Sequence, residues 1–274
     1  MSAPLDRSVT LPGGVRMPIL GLGVFQSPPG KVTREAVKAA LELGYRHVDT
    51  ARVYGNERDV AAAIAESGLA RAEVFVTTKL WNSDQGYDAA LAAFEKSVDR
   101  LGGPPDLYLI HFPVAGTRME SWRALVHLLE ERRVRAIGVS NYTVRHLEEL
   151  LAESPVVPAV NQVELHPFLY QRELLAFCRS KGIQLEAYAP LVKGQRMDDP
   201  VLRRIAAAHG KTPAQVLVRW CIEHEVVAIP KSVRRERIAE NAQVLDFSLA
   251  PEEVAALDAL DEGFRTSWDP TDVP

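Results

Sequence analysis

Short apolar runs alternate with longer helix-type segments along almost the whole chain. The apolar runs are nearly continuous, which is the pattern of strands that are buried on both faces of a sheet. We predict eight strands, at PILGLGVF, YRHVD, VFVTTKL, DLYLIH, VRAIGVS, AVNQVEL, IQLEAYAP and VVAIP. We predict helices at Thr33–Leu43, Glu57–Ser67, Tyr87–Leu101, Met119–Arg132, Val144–Ala152, Gln171–Lys181, Pro200–His209, Pro213–His224, Arg235–Leu245 and Pro251–Leu260.

Regular alternation of strands and helices predicts an α/β fold with parallel pairing and right-handed crossovers. Eight such units in 274 residues predict a (β/α)8 TIM barrel. No linker-like tract interrupts the chain, so we expect residues 1–274 to form a single domain. A doubly wound open sheet is the alternative, but GLGVFQ lacks the third glycine of the dinucleotide-binding motif and no suitably placed acidic residue follows it.

Both ends of the chain are expected to cover the barrel. The segment SVTLPGGVRMP predicts a β-hairpin that turns at Pro12-Gly13-Gly14 and caps one barrel end. The tail DEGFRTSWDPTDVP is expected to form a loop over the barrel mouth, where Arg265 and Trp268 could contact a substrate. The loops PVAGTRM and LVKGQRMDD, after the fourth and seventh strands, are short, which favours an open substrate site.

The composition excludes several classes of function. The formal net charge is -4, so the chain has no global basic field that would attract nucleic acid. Its two cysteines, Cys178 and Cys221, lie in apolar helix-type segments, which fits reduced thiols better than a disulfide framework. MSAPLDRSVT lacks the features of a signal peptide, and no apolar run approaches a membrane span. We therefore predict a cytoplasmic protein with no nucleic-acid or membrane partner.

Polar residues mark the carboxyl ends of the predicted strands, where the active sites of such barrels lie. The second strand ends at Asp49, with Tyr54 just beyond, and the third and fourth strands end at Lys79 and His111. Lys79 can pair with Asp49 and is expected to lower the pKa of Tyr54 from its usual value of about 10. Tyr54 could then donate a proton to a carbonyl oxygen, to which His111 could donate a hydrogen bond.

Such a site needs a reductant, because no side chain supplies hydride. In IPKSVRRERIAEN, the cations Lys231, Arg234, Arg235 and Arg237 lie within seven positions at the start of a predicted helix. The backbone N–H groups of a helix start, together with the hydroxyl of Ser232, suit a phosphate group. An ammonium and a guanidinium would clamp that phosphate.

Each of these patterns also has a structural explanation. Asp49 and Lys79 could form a purely structural ion pair at the barrel mouth, and His111 could be a hydrogen-bonded core histidine. The basic run could be a solvated helix face. The other histidines show no H-E-x-x-H or comparable spacing, so no metal site is expected.

Three segments together favour the functional explanation. GYRHVDTARVYGNE, VRAIGVSNY and IPKSVRRERIAEN resemble the motifs of the aldo-keto reductase superfamily, and the resemblance covers essentially the whole chain. The short loops look most like those of bacterial members such as 2,5-diketo-gluconate reductases. The resemblance implies a catalytic tetrad in which Tyr54 is the general acid, Lys79 tunes it, Asp49 holds Lys79, and His111 orients the substrate carbonyl.

The resemblance also implies NADPH as cofactor, bound extended across the barrel. Ser140, Asn141 and Gln162 match the residues that bind the nicotinamide carboxamide, and Tyr188 matches the aromatic that stacks on the nicotinamide ring. The contacts implied for the 2′-phosphate, the adenine and the rest of the dinucleotide are Leu191, Lys231, Ser232, Val233, Arg234, Arg237, Glu240 and Asn241. Ala189 stands where many members have a serine.

The substrate pocket implied by the resemblance is apolar. Its predicted lining residues are Phe25, Trp81, Phe112 and Trp268. Such a pocket suits small aldehydes and ketones. The leading hypothesis is therefore an NADPH-dependent carbonyl reductase, with monomer as the family's commonest form.

Two other functions stay open at this point. The first is a nucleotide-binding sensor that acts mainly on partner proteins. The second is a Schiff-base enzyme with Lys79 as its nucleophile, although the neighbouring Asp49 would keep that lysine charged.

Overall fold

The computed structural model describes residues 5–274. Residues 1–4 lie outside the described residues, and with them the start of MSAPLDRSVT, for which no signal peptide was predicted. The strands are β1 (Ser8–Thr10), β2 (Arg16–Pro18), β3 (Leu22–Gly23), β4 (His47–Asp49), β5 (Phe75–Leu80), β6 (Leu107–Ile110), β7 (Ala136–Ser140), β8 (Val160–Glu164), β9 (Gln184–Tyr188) and β10 (Val227–Ala228). The helices are α1 (Lys31–Glu42), α2 (Glu57–Glu66), α3 (Tyr87–Leu101), α4 (Arg118–Glu130), α5 (Val144–Glu153), α6 (Arg172–Ser180), α7 (Pro200–Ala208), α8 (Pro213–Glu223), α9 (Arg235–Ala242) and α10 (Pro251–Asp258).

Strands β3 to β10 form one parallel sheet in which each strand pairs with its neighbours in sequence. Isolated parallel bridges from Leu20 to Ala228 and from Gly23 to Lys231 join the first strand to the last and close the sheet. The predicted (β/α)8 barrel is confirmed. Regular pairing in β3 and β10 is shorter than predicted because this seam consists of single bridges. A Cβ at Gly23 would lie 2.8 Å from the carbonyl oxygen of Ile229, so the close approach at the seam requires glycine.

The predicted N-terminal hairpin is present and covers the amino-terminal end of the barrel. Strand β1 pairs antiparallel with β2, and a 3-10 turn at Pro12–Gly14 connects them. The hairpin residues Leu11, Val15 and Met17 form one buried cluster with the first residues of five barrel strands. Those first residues are Phe75, Leu107, Ala136, Val160 and Val227. The opposite end, where the strands terminate, is left for the functional site.

The predicted bounds of the helices agree closely with the structure. Helix α8 begins with a capping box, in which the side chain of Thr212 accepts a hydrogen bond from the backbone N–H of Gln215. Helix α9 ends at Ala242, three residues before the predicted Leu245. Its early end follows from tertiary contacts, because Lys211 and Gln215 donate to the carbonyl oxygen of Gln243.

Residues 5–274 contain no candidate membrane span and no candidate metal site. No helix in this part of the chain is long and apolar enough to cross a membrane. Within the same residues, no group of three or more His, Cys, Asp and Glu side chains could hold a metal ion. Cys178 and Cys221 are buried and are not disulfide-bonded to each other.

Candidate active site

A cavity of about 1110 Å³ opens at the carboxyl ends of the barrel strands. Three members of the predicted tetrad line it, namely Asp49, Tyr54 and His111. The fourth, Lys79, is fully buried behind Asp49. The barrel therefore gathers the four residues at one end, as the strand ends in the sequence predicted.

Lys79 and Asp49 form a tight buried ion pair. In the β4–β5 register Asp49 lies beside Thr77, and Lys79 two positions later points to the same face of the sheet. The ammonium of Lys79 donates to both carboxylate oxygens of Asp49, at 2.7 and 2.8 Å, and to the carbonyl oxygen of Thr50 at 2.9 Å. All three donors are used, so the lysine is held as a cation. This argues against the Schiff-base hypothesis, because a protonated amine is not a nucleophile.

The environment of Tyr54 differs from the prediction. The Nζ atom of Lys79 lies 5.2 Å from the centroid of the Tyr54 ring. Nevertheless, burial raises the pKa of Tyr54 well above its usual value, and the charges of Asp49 and Glu186 raise it further. The predicted lowering of this pKa by Lys79 is therefore wrong, because Asp49 offsets the charge of the lysine and burial penalises the phenolate.

His111 is a neutral imidazole in this site. Burial and the charge of Lys79 lower the pKa of His111 well below its usual value. Its Nδ1 atom has no hydrogen-bond partner among residues 5–274. The ring stacks on Phe112 at 4.8 Å between centroids and meets the edge of Tyr54 at 5.7 Å. These contacts orient the ring beside Tyr54 at the cavity wall.

The residues predicted to bind the nicotinamide form a connected network on β7, β8 and β9. Asn141 donates a hydrogen bond of 3.0 Å to the carbonyl oxygen of His111, and its Oδ1 accepts one of 2.8 Å from the hydroxyl of Tyr188. Ser140 donates to the backbone carbonyl of Gln162 at 2.8 Å. All four side chains line the cavity. The network fixes the position of the Tyr188 ring, as a stacking role requires.

The basic segment lies at another part of the same cavity. Of the residues predicted there, those that line the cavity are Leu191, Lys231, Ser232, Arg237, Glu240 and Asn241. Val233 and Arg234 do not line it, because they form the exposed approach to α9. Partial burial lowers the pKa of Lys231. The site therefore holds two of the predicted cations, Lys231 and Arg237.

Aromatic side chains form the outer wall near Tyr54. Phe25 packs on Tyr54 at 5.0 Å, and Trp81 packs on His111 at 5.2 Å. Phe112 and Trp268 meet edge to face at 4.7 Å. Phe25, Trp81, Phe112 and Trp268 all line the cavity, as predicted, whereas Arg265 does not line it.

A buried carboxylate for which the sequence predicted no role anchors the C-terminal tail. Glu164, at the end of β8, accepts hydrogen bonds from the backbone N–H groups of Thr266 and Ser267 at 2.8 and 3.0 Å. Lys193 donates to the carbonyl oxygen of Thr266 at 2.5 Å. These contacts hold Trp268 over the barrel mouth. The acidic end of AVNQVEL was the available signal for an anchoring residue.

Comparison with known proteins identifies the family of this chain. The model of the Aldo/keto reductase family matches residues 19–262. The chain belongs to the aldo/keto reductase family. The predictions of this family and of an oxidoreductase are therefore confirmed, while the role of each site residue stays a prediction.

The relatives cover almost the complete chain. A glyoxal reductase of Bacillus subtilis is 50% identical over 274 residues, which is 100% of this chain and 99% of the relative. An aldo-keto reductase enzyme from a Medee basin deep-sea metagenome library has a TM-score of 0.93 and 44% identity, covering 98% of this chain and 100% of the other. The Bombyx mori aldo-keto reductase in complex with NADP has a TM-score of 0.90 and 36% identity, covering 96% and 95% of the two chains. At the level of the family, NADP as cofactor is confirmed.

Proposed function

We propose that this aldo/keto reductase uses NADPH to reduce the carbonyl groups of small aldehydes, ketones and dicarbonyls, with Tyr54 as the proton donor. The observation that carries the proposal is the continuous cavity. It joins the cations Lys231 and Arg237 to Tyr54 and His111 within one space. A dinucleotide that Lys231 and Arg237 bind at one end can extend through this cavity to Tyr54 and His111.

The groups along this cavity fit NADPH. Lys231 and Arg237 can bind the 2′-phosphate with charge-assisted hydrogen bonds. Tyr188 presents an aromatic ring that Asn141 holds in place. The Nε2 atom of Gln162 already donates to the carboxyl groups of Asp49 and Glu186, so its Oε1 is the atom available to accept from a carboxamide. When bound, NADPH supplies the hydride that no side chain can supply.

Tyr54 and His111 then act on the substrate oxygen. With its raised pKa, Tyr54 keeps its proton at neutral pH and can transfer it to an oxygen that gains negative charge. Neutral His111 can donate one hydrogen bond to the same oxygen and so orient the carbonyl. Lys79 stays paired with Asp49 beside the ring, and so limits how strongly the charge of Asp49 disfavours the phenolate that is left after proton transfer.

The aromatic wall supports small carbonyl compounds as substrates. Phe25, Trp81, Phe112 and Trp268 offer mainly apolar surface, with Phe25 and Trp268 still 47% and 45% exposed at the mouth. Such a site binds the carbon skeleton of an aldehyde or ketone by burial of apolar surface. The similarity to a glyoxal reductase supports including dicarbonyls in the substrate class.

A panel of carbonyl compounds tests the proposal. Purified protein is mixed with NADPH and glyoxal, methylglyoxal or aromatic aldehydes, and NADPH oxidation is followed by absorbance. We expect at least one dicarbonyl to accelerate oxidation well above the enzyme-free rate. Tight NADPH binding without turnover of any compound would contradict the proposal and favour a nucleotide-binding sensor. A cytoplasmic, monomeric state also belongs to the proposal, and sedimentation of the purified protein tests the monomer.

A further inference from the structure

The barrel interior below the cavity holds a second buried carboxyl group beside Asp49. Glu186 lies on β9 and is completely buried, and Asp49 on β4 is 2% exposed. The Nε2 atom of Gln162 joins the two groups. It donates to Oδ2 of Asp49 at 2.8 Å and to Oε2 of Glu186 at 2.8 Å. Both acids therefore share one amide in an almost completely buried region at the floor of the cavity.

This region contains one cation for two carboxyl groups. The titratable and polar groups that face Glu186 from the surrounding strands and the turn after β4 are His47, Asp49, Tyr54, Lys79 and Gln162. Lys79 is the one charged donor among them, since burial and the charge of Lys79 lower the pKa of His47 to about 3. Two buried carboxylates beside a single ammonium would leave a net negative charge, which is costly in a low-dielectric interior.

The hydrogen bonds around the two carboxyl groups favour a proton on Glu186 rather than on Asp49. Asp49 accepts two hydrogen bonds from Lys79 and one from Gln162, which stabilises its ionised form. Glu186 accepts only the bond from Gln162, and its Oε1 has no hydrogen-bond partner among residues 5–274. That Oε1 lies 3.6 Å from Nε2 of the neutral His47. Burial and the charge of Asp49 raise the pKa of Glu186 to about 8.

We propose that Glu186 is a positioning residue that is protonated at neutral pH, holds Gln162 against Asp49, and sets the alkaline limit of carbonyl reduction. The turnover part of this inference rests on the function proposed above. When Glu186 ionises, a second negative charge appears beside Asp49 and near Tyr54. This charge raises the pKa of Tyr54 further, so Tyr54 becomes a weaker proton donor and the reduction slows.

The protonation state can be measured without any turnover. Glutamate side-chain carboxyl carbons are labelled with carbon-13, and the full-length protein is titrated by NMR between about pH 4 and pH 10. We expect one glutamate resonance to titrate near pH 8 and to be missing in Glu186→Gln. The absence of any glutamate that titrates above about pH 6 would overturn the inference. This readout uses the wild-type protein, so it remains decisive if the variant fails to fold.

The pH profile of turnover tests the second part. Rates with NADPH and a dicarbonyl are normalised to each protein's own rate near pH 6.5. The alkaline decline of Glu186→Gln is expected to begin at least about one pH unit above that of wild type, because an amide cannot ionise. The control is Glu95→Gln, at a side chain that is 55% exposed, which should follow the wild-type profile. Superimposed profiles of Glu186→Gln and wild type would overturn the inference.

The two readouts separate this inference from the proposed function. If wild-type protein reduces none of the carbonyl compounds, the proposed function fails, and the alkaline limit of turnover assigned to Glu186 fails with it. The NMR titration then still decides whether Glu186 carries the proton. A resonance near pH 8 supports that assignment, and a normal glutamate titration overturns it.

Discussion

Removal of the ammonium of Lys79 is the perturbation whose cost follows most directly from the structure. In Lys79→Met the side chain keeps a similar length but loses its charge. Asp49 then loses both hydrogen bonds from Lys79 and retains only the one from Gln162. Breaking a buried ion pair in this way costs about 3–5 kcal/mol, because an uncompensated charge remains. That is a large share of the roughly 5–15 kcal/mol that stabilises a typical domain.

The pH dependence of this loss has a defined sign. Burial raises the pKa of Asp49 even in the presence of Lys79, and loss of the lysine raises it further. An acid with a raised folded-state pKa binds its proton more tightly in the native state, so stability falls as pH rises above the unfolded value of about 3.9. The free energy of unfolding of Lys79→Met should therefore be closest to that of wild type near about pH 4. Above that pH it should fall by up to about 1.4 kcal/mol per pH unit, until Asp49 ionises.

Urea unfolding followed by circular dichroism measures these differences at several pH values. The double variant Asp49→Asn/Lys79→Met removes both charges and should be more stable than Lys79→Met at neutral pH. Lys96→Met, at an exposed lysine, is the matched control and should change the free energy of unfolding by no more than about 0.5 kcal/mol. A loss below about 1 kcal/mol at pH 7 for Lys79→Met, or a loss that does not depend on pH, would refute this reasoning.

Two further predictions concern the cavity. Lys231→Ala or Arg237→Ala should weaken NADPH binding by about tenfold or more, since a charge-assisted hydrogen bond contributes about 1.5–3 kcal/mol, and should leave NADH binding nearly unchanged. Fluorescence titrations with both cofactors measure these affinities. The control is Arg235→Ala, which removes only an exposed ion pair with Glu42. An unchanged ratio of the NADPH and NADH affinities would count against the phosphate clamp. Glu164→Gln weakens the anchor of the tail, so the segment around Trp268 should be cleaved faster in limited proteolysis, and KM for aromatic aldehydes should rise more than kcat changes. Equal cleavage rates and equal KM values would show that Glu164 does not position the tail.

Much of the architecture could be predicted because its signals are local. Each strand is a short apolar run, a helix-type segment follows it, and the alternation repeats eight times. The polar residues Asp49, Lys79 and His111 stand at strand ends, and parallel strands bring their carboxyl ends to one face of the barrel. The order of elements thus predicted where these three members of the tetrad lie, whereas the roles of the tetrad came from the family resemblance.

What the sequence did not predict depends on distant contacts. The link between Glu186, Gln162 and Asp49 joins residues 24 and 113 positions apart, and a glutamate inside IQLEAYAP carries no local signal of that role. The pKa of Tyr54 was predicted in the wrong direction because it depends on burial and on the sum of several charges. The position of Arg234 outside the cavity follows from the chain direction before α9, which composition does not encode.

The central claim is that Tyr54 donates the proton in NADPH-dependent carbonyl reduction. The most direct test is a single-turnover measurement with NADPH-loaded protein and a dicarbonyl that wild type reduces, comparing wild type with Tyr54→Phe. We expect the rate to fall by at least about 10²-fold in the variant, the usual contribution of a positioned acid, while the Kd for NADPH stays within about threefold. An equal rate in the two proteins would show that Tyr54 is not the proton donor.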